Sequence, residues 1–414
     1  MSFDYDVAIV GGGPIGSTLA YKLAKEGYKV AILDKKREIG VPLQCAGIVS
    51  KKLMDVNEIP DNLILNKVKG AYLHSTNKTL KVEKNDVEAF IIDRVAYDKF
   101  LADRAISNGV KFFNQYKVNF IDSENGIIKC QNNIKISSKI IVGADGSKSF
   151  VSSLINDKFK YFNASQYLVE VNDFHINENN NTSTINNSFL DDNFVVKDKA
   201  IEFVDLFAIS KILPGFLWCI PTSKSCFRVG LFSNNSYKDQ KTILNSFLDN
   251  DDRFNESKII EKYHGKIPIF DKNKKIVKNR IILIGDAASQ LKPTTGGGLI
   301  LGFDTTNLAK EAIIKSLDND NINFLKEYEK KFKKKYSKEL SYQIKVQKTI
   351  ENLSDEDLDY MFTKLKEKNA EEIISKYGDM DKQSVLVKEF IKRGLIFSII
   401  PKVFFRKLVS IWKF

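Results

Sequence analysis

At 414 residues the chain is long enough for two or three domains, since single cores stop growing near about 250–300 residues. Hydrophobic residues at 43% and charged residues at 28% match ordinary globular usage, which excludes both wholesale disorder and a multi-spanning membrane protein. The net charge of +12 is carried by lysines scattered along the chain, a solvated surface and not a nucleic-acid patch, while four cysteines without a CxxC pair and three histidines offer no metal-ligand pattern.

From Tyr5 to Val10 a β-rich apolar run leads into Gly11-Gly12-Gly13-Pro14-Ile15-Gly16. A helical pattern through Leu19, Ala20, Leu23 and Ala24 ends at Gly27, and a second strand, Lys29 to Leu33, closes on Asp34. This is a βαβ unit. The first apolar run follows Asp4 and Asp6 and is broken by glycines, unlike a signal peptide; with thiols expected reduced, a cytoplasmic location is expected.

An amphipathic helix is predicted from about Asp93 to Ala105, and a short strand over Lys139 to Val142 precedes Gly143-Ala144-Asp145-Gly146. From Tyr161 to Phe270 strand-like segments alternate with polar loops, with an Asn-rich loop over 177–187. A buried strand returns at Arg280 to Ile284, ends in Gly285-Asp286, and is followed by Pro293-Thr294-Thr295-Gly296-Gly297-Gly298 and a new helix. Beyond about Asn323 the chain reads as helical and Lys-rich. Its aromatic, basic tail from Phe390 to Phe414 lacks the roughly 18–20 apolar residues of a membrane span, but it suits either a membrane surface or packing on the protein itself. The expected fold class is α/β. A discontinuous Rossmann-type dinucleotide domain (1–160 and 273–322) is joined by an antiparallel β substrate domain (161–272) and a helical C-terminal region (323–414).

Gly11-x-Gly13-x-x-Gly16 sits between a strand and a helix, the context that the dinucleotide fingerprint requires. Gly11 permits the tight turn, Gly13 lets backbone approach a pyrophosphate, Gly16 allows close helix–strand packing, and the helix N-terminus at Pro14 attracts negative charge. Asp34, followed by Lys35, is placed for an adenosine ribose. The fingerprint alone does not separate FAD from NAD. Two further turns bear on that choice: Gly285-Asp286 lies at a strand's carboxyl end, where open α/β sheets bind ligands, and Gly143-Ala144-Asp145-Gly146 turns beside the same crevice.

Together the three turns resemble the glutathione-reductase-type flavoproteins of the aromatic-hydroxylase superfamily, in order and along most of the chain. The resemblance narrows to the geranylgeranyl reductases on three stretches: Gly40-Val41-Pro42-Leu43-Gln44-Cys45-Ala46-Gly47, Pro214-Gly215-Phe216-Leu217-Trp218-Cys219-Ile220-Pro221, and Gly285 through Gly298. The middle one is a residue shorter than the family's PxxYxWxFP, with Phe216 for Tyr and Ile220 for Phe.

The resemblance implies FAD as cofactor. Gly11, Gly13, Pro14, Gly16, Asp34 and Lys35 are then on its ADP half, Arg94, Asp145, Gly285 and Asp286 near the pyrophosphate and ribityl chain, and Cys45, Ala46, Gly47 and Gly296 to Gly298 around the flavin. It implies a polyprenyl lipid as substrate, lined by Phe216, Trp218 and Pro221. It also implies hydride transfer from reduced flavin N5 to an alkene carbon, with Cys45 as a neutral thiol in apolar surroundings that donates or relays the proton. The electron donor, ferredoxin, NAD(P)H or another, is left open, as is a peripheral position on the inner face of the membrane. The competing readings are an FAD-dependent aromatic-type monooxygenase and an electron-transfer or quinone-linked flavoprotein. His74, His175 and His264 have no ligand or triad spacing and are expected as surface or packing residues.

Overall fold

The computed structural model describes residues 2–396, apart from 44, 132, 157–159, 172–182, 186–193 and 197–200. The Asn-rich loop expected over 177–187 therefore lies outside the described residues except for the short strand Ser183–Ile185, and so does the tail beyond Ile396.

The chain enters through β1 (Tyr5–Val10), turns into α1 (Pro14–Ala24) and returns as β2 (Val30–Asp34). A hairpin follows, β3 (Gly70–His74) and β4 (Thr79–Glu83), then α2 (Arg94–Ser107), β5 (Lys111–Asn114) and β6 (Lys135–Gly143). The middle of the chain supplies β7 (Tyr161–Glu170), β8 (Phe203–Phe207), β9 (Leu217–Pro221), β10 (Cys226–Ser233), α3 (Tyr237–Asn250) and β11 (Lys258–Pro268). It then runs through β12 (Val277–Lys278), β13 (Ile281–Leu283) and α4 (Leu299–Asp318), and continues as α5 (Lys326–Ile350), α6 (Asp355–Glu367), α7 (Ala370–Tyr377) and α8 (Ser384–Lys392).

One sheet has the order β12-β13-β6-β1-β2-β5 along its main path, parallel except for the edge strand β12, and two more strands, Val118–Asp122 and Ile127–Cys130, join it antiparallel through β6. Val7 to Val10 and all of β2 are buried, as strands covered on both faces must be, and this explains their continuous apolar runs. Helices α1, α2 and α4 pack together against this sheet through Leu19, Leu23, Ala105 and Ile313. Because β6 lies next to β1 and β13 next to β6, all parallel, the carboxyl ends of the strands carry the three glycine turns to one end of the sheet.

The second sheet has the order β11-β7-β10-β9-β8-β3-β4, antiparallel except where β3 runs parallel to β8. The hairpin β3–β4 thus belongs to the second sheet, although the segment 1–160 was expected to serve the dinucleotide domain alone. A local hairpin pattern does not reveal which distant strand its free edge will join. The join is fastened by His74, whose Nε2 lies 2.9 Å from Asp205 Oδ1, and by Arg253 Nη1, 2.7 Å from Asp205 Oδ2. Burial acts to raise the Asp205 carboxyl, but Arg253 and His74 outweigh it and bring it down to about 2. His74 is a packing residue stacked on Phe207, in keeping with its lack of ligand spacing.

The two faces of the second sheet have different fates. Leu217, Cys219, Val229 and Leu231 pack against Leu244, Phe247 and Leu248 of α3. Phe216, Trp218, Ile220 and Phe232 point the other way, as alternation along a strand requires. Among the described residues no helix is long and apolar enough to cross a membrane.

Candidate functional site

Among the described residues a large cavity, about 1540 Å³, runs from the glycine turns of the parallel sheet to the aromatic face of the second sheet and on to the C-terminal helices. At one end, Gly11 adopts φ +107° and packs so closely that a Cβ there would lie 2.3 Å from the Ala144 carbonyl oxygen. The first glycine turn and the Gly143–Gly146 turn are therefore in contact. Gly13 caps α1, with Pro14 at the first helical position, and nothing lies within 4 Å of where its Cβ would be. Asp34 Oδ2 accepts the Gly12 amide at 2.7 Å, and Oδ1 accepts the Lys36 amide at 2.8 Å. A carboxylate has about four acceptor positions, so this one is fixed yet keeps capacity for a ligand's hydroxyls.

At the return of the sheet, Asp286 is half-buried and lines the cavity, and among the described residues no hydrogen bond reaches its carboxylate. Burial raises its carboxyl, partly offset by Arg94 and Lys274. Gly298 caps α4, and a Cβ there would come within 3.1 Å of Asp286 Oδ1, so the Gly296–Gly298 loop and this acid share one wall. A bare helix N-terminus beside an unsatisfied carboxyl, joined by open space to the α1 N-terminus, fits an extended dinucleotide. Arg94 opens α2 behind its cap Asp93, whose Oδ1 accepts the Val95 and Ala96 amides at 3.0 Å each. The Arg94 guanidinium reaches the cavity and pairs with Asp98 at 2.9 Å. Burial alone would lower it, but Asp98 and Cys45 hold it above its ordinary value.

Cys45 lines the cavity between these two ends, with its Sγ 3.4 Å from the Gly47 amide. Its surroundings are not purely the apolar ones expected from sequence, because the Arg94 and Arg228 guanidiniums stand beside it. Arg228 donates from Nη1 to the Ala46 and Ile92 carbonyls at 3.0 and 3.2 Å, and burial pushes its guanidinium down. Arg228 comes from a strand position far along the chain, and no local pattern announces it, whereas Arg94 was expected at the site.

Three other expected positions are placed differently. Gly47 turns away from the cavity toward Arg228, since a Cβ there would lie 1.8 Å from Nη1. Pro221 is on the strand face opposite Phe216 and Trp218, and Ile220 takes the third lining position; alternation along β9 decides this. The Asp145 carboxylate turns inward to accept from Ser149 Oγ at 2.5 Å and the Val151 amide at 3.1 Å, and burial raises it, so the turn presents mainly backbone. Ala46, Lys35, Gly285 and Gly296 to Gly298 all line the cavity, whereas Gly16 is buried beneath it.

The far end is apolar. Phe216, Trp218 and Phe232 form an edge-on aromatic cluster, with Phe216 centroids 6.1 Å from Trp218 and 5.0 Å from Phe232. Opposite them stand Ile350 of α5, Met361 and Leu365 of α6 and Phe390 of α8. This C-terminal wall is latched to the glycine loop: Lys292 Nζ donates to the Met380 carbonyl and Asp381 Oδ1, each at 2.8 Å, and Ser50 Oγ donates to Asp381 Oδ2 at 2.6 Å. Nothing in the Lys-rich helical sequence marked these helices as cavity wall.

Residues 4–335 match the FAD binding domain family. This chain belongs to that family. The flavoprotein is 32% identical to an uncharacterised protein of Methanocaldococcus jannaschii over 94% of this chain and 95% of that protein. It is 28% identical to the digeranylgeranylglycerophospholipid reductase of Methanococcus vannielii over 89% of this chain and 92% of that one. Among solved structures it shares its fold with a geranylgeranyl bacteriochlorophyll reductase-like protein of Thermoplasma acidophilum, at a TM-score of 0.77 and 21% identity over 98% of both chains.

Proposed function

We propose that this flavoprotein saturates carbon–carbon double bonds in the geranylgeranyl chains of a glycerophospholipid or a related polyprenyl lipid. The observation that carries the reading is the continuity of the cavity: the glycine-built end opens without a break into the apolar arm. About 1540 Å³ exceeds the ~300–1,000 Å³ of ordinary small-ligand sites, so the space suits a cofactor and a long chain together. The names of the reductase relatives support this substrate class and favour reduction over the monooxygenase and electron-transfer readings.

Gly11, Gly13 and Pro14, with Asp34 and Lys35, would hold the ADP half of FAD, while Arg94, Asp286 and Gly296 to Gly298 would hold its flavin end. Bound there, FAD supplies the hydride. The aromatic face and the C-terminal helices orient the alkene and exclude water. An isolated alkene needs this, because proton donation must be early or concerted and any cationic centre must stay dry. Cys45 Sγ, at the junction of the two ends, hands a proton to the carbon that does not receive the hydride; together they add one hydrogen pair per double bond. An external donor such as ferredoxin or NAD(P)H supplies the electrons. The basic, aromatic composition of the tail from Phe390 supports a peripheral position on the inner membrane face, where the lipid is found.

The test is anaerobic incubation of the dithionite-reduced, FAD-loaded protein with digeranylgeranylglycerophospholipid, followed by mass spectrometry. Products heavier by successive hydrogen pairs are expected. Unchanged lipid beside a competent reduced flavin overturns the proposal.

A further inference from the structure

Gln166 is a buried polar side chain beside the aromatic wall, 5% exposed, and both ends of its amide are in use. The Trp218 indole N–H can only donate, and it donates to Gln166 Oε1 at 3.0 Å. That settles the orientation of the amide. Its Nε2 faces the other way and donates to the main-chain carbonyl of Cys45 at 3.3 Å.

The bridge is longer than a neighbouring-strand contact. Gln166 lies on β7 and Trp218 on β9, with β10 between them, so the indole has to cross a strand. It crosses at Gly230, which pairs with Gln166 on one side and Trp218 on the other. A Cβ at residue 230 would lie 2.6 Å from Trp218 Cζ2, so a side chain there would lift the ring away from Gln166. Glycine weakens a strand interior, and a close approach of this kind is the usual reason for one. The next residue of the cysteine loop is held from the same sheet, by the bond from Arg228 Nη1 to the Ala46 carbonyl.

We propose that Gln166 is a positioning residue for Cys45. It ties the loop that carries the thiol to the aromatic wall against which the lipid lies, so the placement of Sγ follows the seating of Trp218. This rests on the reading that Cys45 takes part in alkene reduction. Misplacing a reacting group by about 1 Å costs on the order of a hundredfold in rate, which makes such a tie consequential.

Full-length, FAD-loaded variants test the tie. Gln166→Leu removes both hydrogen bonds; Gln166→Glu keeps an acceptor for Trp218 but sets a carboxylate oxygen against the Cys45 carbonyl. Turnover is expected to fall about 10- to 100-fold in each, with KM for the lipid and flavin content within about twofold of wild type. In a Cys45→Ser background Gln166→Leu should cost nothing further, because the two act as one unit. Losses that multiply in the double variant, or wild-type turnover of Gln166→Leu beside an impaired Cys45→Ser, overturn the positioning role alone. Wild-type turnover of Cys45→Ser overturns the reading of Cys45 and this proposal with it. Where Gln166→Leu does not fold, Gln166→Glu decides.

Discussion

The two ends of the cavity are built on opposite principles. The dinucleotide end is made chiefly of main chain: amides at the N-termini of α1 and α4 and turns whose backbone angles only glycine adopts easily, with a few charged side chains, Asp34, Asp286 and Arg94, added. The apolar end is made of side chains that alternate along four or more strands and face helices from the last quarter of the chain. A main-chain site tolerates almost no substitution at its turns yet needs few of them. A side-chain site spreads its requirement thinly, and each residue changes shape or width without dismantling the fold.

That contrast is broken if the two ends respond alike. The largest effect is expected from Gly11→Ala. The positive φ alone costs of the order of 1–3 kcal/mol, and the new Cβ meets a backbone oxygen that cannot rotate aside. The purified variant should be colourless or markedly less stable in thermal unfolding; a yellow protein of wild-type stability would show the turn to be less constrained than its geometry states.

Ile220→Trp addresses the other end. The larger ring would enter the apolar arm at the side-chain position that Pro221 does not occupy. Flavin content should stay within about twofold of wild type while turnover of a geranylgeranyl lipid falls about tenfold or more, since one filled position blocks a chain-shaped cavity. Loss of flavin in this variant would show that the two ends are not separable.

The smallest effect concerns Lys274, whose Nζ donates to Ser289 at 2.9 Å. Burial lowers its ammonium from the usual 10.5 to about 8, against the pull of Asp271, Asp145 and Asp286. Between these values the unfolded chain binds more protons than the folded one, so this group makes stability rise with pH there; below about 8 the folded protein carries the whole cost. Urea unfolding at a series of pH values should show wild type gaining relative to Lys274→Met from about pH 8 to 10.5. Parallel curves would place the lysine in a wetter site.

Much of the dinucleotide end was legible because its chemistry is local. Strand, glycine turn and helix follow one another within thirty residues, and the requirement for glycine at residue 11 shows in the letter itself. The apolar end was legible only through the short stretch around Trp218, and even there Pro221 was expected in the lining that Ile220 occupies. Gln166 and Arg228 left no pattern at all, since a polar residue within a strand reads as solvent-facing until its neighbours are known. Gly230 did leave a signal, a glycine inside the apolar run Val229 to Phe232, which marks a close approach without saying what approaches.

By itself the amino-acid sequence determined where the backbone must turn and where helix N-termini meet strand ends, because these depend on φ, ψ and caps that nearest neighbours dictate. Only the tertiary structure decided that α5 to α8 wall the apolar arm, that β3–β4 joins the second sheet, and that two buried arginines stand beside Cys45. An apolar residue lines a core or a cavity with the same letter, and which of the two it does depends on how far away the opposite wall is set.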